Sequence, residues 1–367
     1  MKITLKDIAS ALGMNESTVS YALANKGSIK AETRERILRT AEKMGYVPNR
    51  SAQQISTGKS NLIGLVVPNV LFELGEYCEH IFRLLSDAGY LTSIMVTEFS
   101  PERERSIFRN LIGQGAAGII VCPTAQNASS SDTESPLHLA RLNGVPVICR
   151  NIDPQENCVM PDYRAIGSLL GKKLRKCGHR KIALMIPHSA PFPDFAAELL
   201  KGVAETLGRG ASVRMETLSP VPVPLPDGPF PPNPHYELQI RSMLAAGYIE
   251  ATEELFRQVW NNSPQNRPDA MICFSENTAL GLIAAARKCG VEIPRDLSLV
   301  TTQHTLFGNF LPTPVTAAYV PPLEFAEKTV KLLLKKIRQN SNQVEQLFLK
   351  PEFFPGGTLT PQQKETK

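Results

Sequence analysis

The chain has 367 residues, 42% hydrophobic and 20% charged, more than one hydrophobic core ordinarily supports, which points to two or three compact units. No window approaches the roughly 18 uninterrupted apolar residues of a bilayer crossing. The seven cysteines are scattered without a CxxC pair, which favours reduced thiols over a disulfide framework or a zinc site. The net charge of +5 lies wholly in residues 1–60, with ten Lys/Arg against five Asp/Glu, and the remainder holds thirty of each. A basic segment on a neutral body is the charge distribution of a module that meets phosphates; the plain alternative is a solvated helical surface. The first residues, Met1 to Asp7, contain no apolar run and no small-residue cleavage site, so a cytoplasmic location is expected.

Leu5, Ile8, Ala9 and Leu12 recur at helical spacing before Gly13-Met14-Asn15, which predicts a short first helix ending there. Asn15 is the expected N-cap of a second helix over 16–23, with Val19, Ala22 and Leu23 facing inward. Its other face carries Glu16, Ser17, Ser20 and Tyr21. Two short helices joined by a three-residue glycine turn predict a helix-turn-helix whose second helix fits the DNA major groove. A third helix over 31–44, with Ile37, Ala41 and Met44 inward, completes the expected core.

The segments Ile3-Thr4-Leu5-Lys6-Asp7-Ile8-Ala9, Ser17-Thr18-Val19-Ser20-Tyr21-Ala22-Leu23-Ala24-Asn25, Glu32-Thr33-Arg34-Glu35-Arg36-Ile37 and Gly45-Tyr46-Val47-Pro48-Asn49 follow the order of the LacI/GalR headpiece, and the chain resembles that family. The resemblance implies a homodimeric transcriptional repressor that binds double-stranded operator DNA under control of a carbohydrate-like small molecule. It implies no cofactor, metal, membrane partner or enzymatic activity. By the same resemblance Glu16, Ser17 and Tyr21 read bases, and Tyr21 stands where arginine is usual. Tyrosine cannot grip guanine through two parallel hydrogen bonds as arginine does, so an altered operator preference is expected. Thr18, Ser20 and Asn25 are the implied phosphate contacts, although local backbone bonding explains Thr18 and Ser20 equally well.

Residues 49–61 resemble the family's hinge. Ile55 stands where leucine is usual, and an apolar wedge there unstacks a base step and bends the duplex. A β-branched wedge is stiffer, so shallower insertion is expected. Gln53 replaces a frequent arginine, and Lys59 completes the expected DNA-binding set. The alternative is a plain linker, whose composition Ser56-Thr57-Gly58-Lys59-Ser60 also fits.

From Leu62 onward apolar strands such as Leu62–Val67, Gly118–Val121, Lys181–Ile186, Ala270–Phe274 and Leu297–Val300 alternate with amphipathic helices. Repeated β-α units with continuous apolar strands predict parallel sheets covered on both faces. The expected fold is therefore α/β: an all-α helix-turn-helix headpiece (1–48) and hinge (49–61), then a periplasmic-binding-protein-like core of two doubly wound lobes. These are an N-lobe (62–160), a C-lobe (161–310), a crossover and C-terminal part (311–357) and a polar tail (358–367). Ligands of such sheets bind beyond the carboxyl ends of the strands, here in the cleft between lobes.

Sugar-binding members of the family commonly carry an aspartate, an arginine, an Asn-Asp pair and a second aspartate where this chain has Asn151, Leu199, Glu276-Asn277 and Gln303. Losing the arginine removes the planar cation that would clamp a carboxylate or a pair of hydroxyls. Phe72, Arg150, Asn151, Phe192, Glu276 and Gln303 are the candidate effector residues, with His304 a further lining candidate. The eight prolines between Ser219 and Tyr236 exclude helix and central strand, leaving a flap, an arm over the neighbouring subunit or a disordered loop. The tail lacks leucine heptads, so a dimer is the default.

A solute-binding protein for transport would share the core but not residues 1–60. An enzyme is disfavoured because no nucleophile elbow, phosphate loop or metal-spaced His/Cys cluster occurs. The alternative to a ligand-controlled regulator is a cytoplasmic small-molecule-binding protein of the same fold whose ligand does not control DNA release. Effector identity, operator sequence and the direction of control stay open at this level.

Overall fold

The computed structural model describes residues 3–47, 60–124, 127, 132–150, 156–187, 193–218, 246–261, 267–339 and 343–362. The hinge candidates Gln53, Ile55 and Lys59, the effector candidates Asn151 and Phe192, and the proline-rich segment lie outside these residues. The chain divides into two compact units, Met1–Ser60 and Asn61–Lys367.

The first unit holds α1 (Leu5–Leu12), α2 (Glu16–Leu23) and α3 (Ala31–Lys43). Thr4 starts α1 with a capping box: its hydroxyl accepts from Asp7 N–H at 3.4 Å while the Asp7 carboxylate accepts from Thr4 N–H at 2.8 Å. Those hydrogen bonds hold the Asp7 carboxyl below the usual carboxylate range. Gly13 ends α1 at φ 63°, a left-handed conformation in which glycine carries no Cβ penalty. Asn15 has the extended backbone of an N-cap, but its side chain makes no capping bond, so the expected cap is one of position only. Ile8, Ala9, Val19, Ala22, Ile37 and Ala41 form the buried core, with Met44 packed at its margin.

The second unit is built on two six-stranded sheets. The N-lobe sheet contains β1 (Leu62–Val67), β2 (Leu91–Val96), β3 (Gly118–Val121), β4 (Val147–Arg150), β5 (Cys158–Pro161) and β11 (Gln346–Leu349), in the order β11-β5-β4-β3-β1-β2. All of its pairings are parallel. The C-lobe sheet contains β6 (Lys181–Pro187), β7 (Ser212–Leu218), β8 (Ala270–Cys273), β9 (Ser298–Thr301), β10 (Thr316–Tyr319) and β12 (Glu352–Phe354), in the order β12-β10-β9-β8-β6-β7. Only β12 runs antiparallel, against β10.

Both faces of each sheet are covered. Ile63 and Leu65 of β1 enter one cluster and Val66 the opposite one, while Ile182 and Leu184 of β6 face one side and Ala183 and Met185 the other. This period-2 split of an uninterrupted apolar run is the signature of a fully buried parallel strand.

The covering helices of the N-lobe are α4 (Phe72–Asp87), α5 (Pro101–Gly113) and α6 (Pro136–Leu142). Those of the C-lobe are α7 (Tyr163–Lys176), α8 (Pro193–Leu207), α9 (Ala246–Asn261) and α10 (Glu276–Lys288). A 3₁₀ turn, Leu306–Phe310, precedes β10, and α11 (Pro322–Gln339) then returns the chain to the N-lobe, where Phe325, Val330 and Leu333 are buried with Tyr77 and Ile81 of α4. After a first passage between lobes following β5, the stretch expected as the crossover and C-terminal part therefore passes between them twice, after β10 and after β11.

The segment expected as a polar tail from residue 358 is bonded to the C-lobe as far as Gln362. Thr358 is buried; its carbonyl accepts from Leu299 N–H at 2.9 Å and its hydroxyl donates to the Leu299 carbonyl at 2.6 Å. The Thr360 carbonyl lies 2.9 Å from His179 Nε2, and Gln362 N–H donates to the Cys177 carbonyl at 2.7 Å. These bonds pair main-chain groups of Leu299 in β9 and of Cys177, the residue after the helix Tyr163–Lys176.

One buried charge in the N-lobe makes stability depend on pH. Glu104 of α5 is fully buried and accepts from Thr124 N–H at 2.7 Å; burial pushes its carboxyl up to about 7 against the lowering pull of that bond. An unfolded glutamate titrates near about 4.3, so between the two values the native state holds a proton that the unfolded chain has released. The stability contributed by this proton is full below the lower value and is lost as pH rises through 7. Glu104→Gln keeps an acceptor for Thr124 and removes the charge. Its unfolding free energy is expected to gain on the wild type by on the order of 2 kcal/mol between pH 5 and pH 8. Urea denaturation at both pH values measures this; an identical difference at both would mean that Glu104 titrates normally.

Candidate DNA-reading helix and interlobe cleft

In the first unit the buried Val19 and Ala22 fix the rotation of α2, so Glu16, Ser17 and Tyr21 are exposed and Thr18 and Ser20 half-buried. Tyr21 is 55% exposed. Asn25 is also exposed, at φ 53°, a left-handed conformation that asparagine tolerates. The eight residues of α2 span about 12 Å, a length that lies within a major groove.

In the second unit a narrow cleft, with a cavity volume of about 20 Å³, lies between the lobes. It is lined by Glu73, Arg150, Pro161, Tyr163, Phe274, Thr302, Gln303, His304, Val320 and Phe325. Arg150 ends β4 and is 8% exposed. Its Nη2 donates to Glu73 Oε1 at 2.5 Å, and its guanidinium carbon lies 4.7 Å from the Tyr77 ring centroid and 4.5 Å from that of Phe325. Burial is the largest single influence and works against the charge, but the Glu73 carboxylate together with the neighbouring Cys122 and Tyr77 holds the guanidinium above its ordinary range. Among the described residues Arg150 Nη1 is buried without a hydrogen-bond partner.

The C-lobe wall is aromatic. Phe274 stacks on Phe195 at 4.5 Å and on Tyr163 at 5.9 Å between centroids. His304 stacks on Phe354 at 3.9 Å and meets Tyr319 edge-on at 5.1 Å. Desolvation lowers its pKa, so the ring is neutral at neutral pH. Thr302 donates to the Phe274 carbonyl at 2.6 Å. Among the described residues, Leu306 N–H of the C-lobe donates to Glu76 Oε1 of the N-lobe at 2.6 Å, and burial raises the Glu76 pKa.

Of the sequence candidates, the structure brings Arg150, Gln303 and His304 to the cleft. Phe72, at φ 50°, and Glu276 are not among its lining residues. Glu276 is buried at the start of α10, where it accepts from the Thr305 hydroxyl; its Oε1 has no partner among the described residues, and desolvation raises its pKa. Leu199 is fully buried in the C-lobe core. Glu73, Tyr163, Phe274, Thr302 and Phe325 were not foreseen. For Glu73 a signal existed, since it falls on the i, i+4, i+8 stripe with Tyr77 and Ile81, an apolar face where a charge requires a buried partner.

The family model for bacterial regulatory proteins of the lacI family matches residues 4–49, and that for the periplasmic binding proteins and sugar binding domain of the LacI family matches residues 76–207. A periplasmic binding protein-like domain model matches residues 172–359, just over half of the chain.

The chain belongs to the LacI family of transcriptional regulators.

The LacI-family relatives are regulators, and this chain is a DNA-binding regulator rather than an enzyme. The HTH-type transcriptional regulator DegA of Bacillus subtilis is 26% identical over 98% of this chain and 99% of its own length. The HTH-type transcriptional repressor PurR of Haemophilus influenzae is 25% identical, covering 94% of each. Among solved structures, the lac repressor dimer bound to operator and the anti-inducer ONPF matches with a TM-score of 0.77 and 19% identity over 98% of this chain and 100% of that one, a likeness of fold. No helix among the described residues is long and apolar enough to cross a membrane.

Proposed function

We propose that this LacI-family member is a cytoplasmic repressor whose homodimer binds operator DNA with affinity set by a small, carbohydrate-like molecule held in the interlobe cleft. The observation that carries the reading is the α2 face: Glu16, Ser17 and Tyr21 stand exposed on a three-helix unit that supplies the whole net positive charge of the chain. Glu16, Ser17 and Tyr21 meet base edges, Thr18, Ser20 and Asn25 meet phosphates, and Gln53, Ile55 and Lys59 belong to the same DNA-binding set. Arg150 and Gln303 form the effector site together with Tyr163, Phe274, Thr302 and His304. Asn151 and Phe192 remain candidates by resemblance. A ligand that prefers one disposition of the lobes changes operator affinity, and operator then changes ligand affinity by the same factor.

Fluorescence anisotropy with the gene's own upstream DNA against scrambled DNA, across a salt series, tests the reading. Binding that prefers the upstream sequence and weakens steeply with salt is expected. Tyr21→Ala is expected to reduce the specific affinity by roughly 10-fold or more while leaving scrambled-DNA binding near the wild-type value. Equal losses on both DNAs would remove Tyr21 from base reading.

A further inference from the structure

We propose that the amino end of the C-lobe sheet is a second DNA-binding surface, where Lys172, Arg175, Lys176, Arg180 and Arg209 hold the phosphate backbone of a duplex without reading its sequence. A protein engaged on its operator would thereby retain a further DNA segment. The proposal depends neither on the ligand nor on which operator the headpiece reads.

The sequence concentrates charge here. Residues 163–193 contain no Asp or Glu, and six of the ten residues from Lys172 to Lys181 are Lys or Arg, in a core that is neutral as a whole. Such a run is either the footprint of a polyanion site or a solvated helix end. The macrodipole of α7 accounts for Lys173, Arg175 and Lys176 as cations in its last turn. It does not account for Arg180, Lys181 and Arg209, which reach the same end from β6 and from the turn after α8.

The fold leaves these charges uncompensated and brings them together. Elsewhere the core pairs its arginines, as in Arg103 with Glu98, Arg141 with Glu156 and Arg257 with Glu253. Among the described residues Lys172, Arg175, Lys176, Arg180 and Arg209 enter no ion pair. Asp269 adjoins the run and offsets one charge, but its carboxylate accepts from the main-chain N–H of Arg180 at 2.9 Å and of Lys181 at 3.1 Å. Lys172, Arg175 and Lys176 are exposed at i, i+3 and i+4 on α7, neighbours on one helix face. The Arg175 guanidinium carbon lies 3.4 Å from where a Cβ on Gly208 would stand, and Arg180 Nη1 donates to the Leu207 carbonyl at 3.4 Å. Two guanidiniums therefore flank one turn, and the exposed Arg209 follows it.

The surface is separate from the effector cleft. It lies where β6 begins, at Lys181, beside the starts of β8 and β9, whereas the cleft residues Phe274 and Thr302 follow the opposite ends of those strands. The seven residues of β6 put about 20 Å between the two ends.

The chemistry of the patch favours a phosphate backbone. Protein interfaces centre on apolar or aromatic anchors, and among the described residues no large apolar side chain is exposed between Leu142 and Leu306. Guanidiniums held at a turn present planar forks that meet phosphate oxygens through paired bonds, and lysines along a helix face add backbone contacts without sequence information. Once the headpiece is on operator, distant segments of the same duplex stand at high effective concentration.

Anisotropy of a labelled scrambled duplex, titrated with full-length protein already carrying one upstream duplex per dimer, tests the assignment. Binding is expected, falling with salt with a log–log slope of about −4. Lys172→Gln/Arg175→Gln/Lys176→Gln is expected to weaken it by roughly 10-fold or more and to flatten the slope by about 3, with upstream affinity little changed. Lys172→Gln/Lys176→Gln leaves Arg175 packed at Gly208, and serves with a loss of roughly 5-fold if the triple variant does not fold. Lys328→Gln/Lys331→Gln/Arg338→Gln removes the same charge from exposed positions on α11 and is expected to change little. Equal losses in the two triple variants, no loss in the patch variant, no binding of the second duplex, or stronger competition by phosphatidylglycerol vesicles than by unlabelled duplex overturns the proposal. The difference between the variants reads the patch whether or not the headpiece is specific, so failure to prefer upstream DNA would overturn the repressor reading alone.

Discussion

Removing residues 1–60 is expected to abolish specific operator binding, a loss of at least roughly 10³-fold, while leaving residues 61–367 folded. The deleted segment is a separate compact unit with its own core of Ile8, Val19, Ala22 and Ile37. No residue of the four clusters that stabilise the lobes lies within it. It also carries the entire net charge of +5, so the truncated protein has no net charge and keeps only the attraction of the C-lobe's basic end to phosphates. Anisotropy titrations on upstream and scrambled DNA measure the first effect, and thermal melting of the truncated chain measures the second. Sequence preference retained after truncation would move the reading surface out of α2, and a collapsed melt would show that the core depends on the headpiece.

The headpiece was legible in the sequence because its signals are local. Leu5, Ile8, Ala9 and Leu12 recur within two turns, Gly13 stops α1, and the apolar spacing of Val19 and Ala22 dictates which side of α2 is exposed. The lobes were legible as a class for a similar reason, since an uninterrupted apolar strand reports burial on both faces. What escaped was non-local. Arg150 could be singled out, but Glu73 lies 77 positions away, and no pattern along the chain announces that the two meet. The antiparallel return of β12 depends on partners more than thirty residues away, and the pinning of Thr358 and Thr360 on partners about sixty and 181 residues away, so a polar C-terminal stretch read as a tail. Leu199 illustrates the converse. Its substitution for arginine is plain in the sequence, but that the guanidinium of Arg150 in the opposite lobe is tied to Glu73 is a fact of the folded chain alone.

Gly202→Ala is expected to destabilise the C-lobe by about 3 kcal/mol or more, the upper end of what overpacking costs. Helices α7 and α8 approach each other through glycines, backbone against backbone. A Cβ on Gly202 would lie 2.2 Å from the Arg164 carbonyl oxygen and 2.8 Å from Ser168 N. On Gly167 it would lie 2.1 Å from the Leu199 carbonyl oxygen. These obstacles are main-chain atoms inside helices, so no rotamer change relieves them and the helices must move apart. That movement reaches the cleft, because α8 carries Phe195, whose ring stacks on Phe274 and meets Tyr163 at a tilt. Urea denaturation is expected to show the stability loss, and calorimetry on any protein that remains folded is expected to show weakened ligand binding alongside it. Operator binding measured without ligand should change far less, since the headpiece has its own core. A Gly202→Ala protein within 1 kcal/mol of the wild type would mean that the two helices separate at little cost, and the aromatic wall would then not be fixed by their contact.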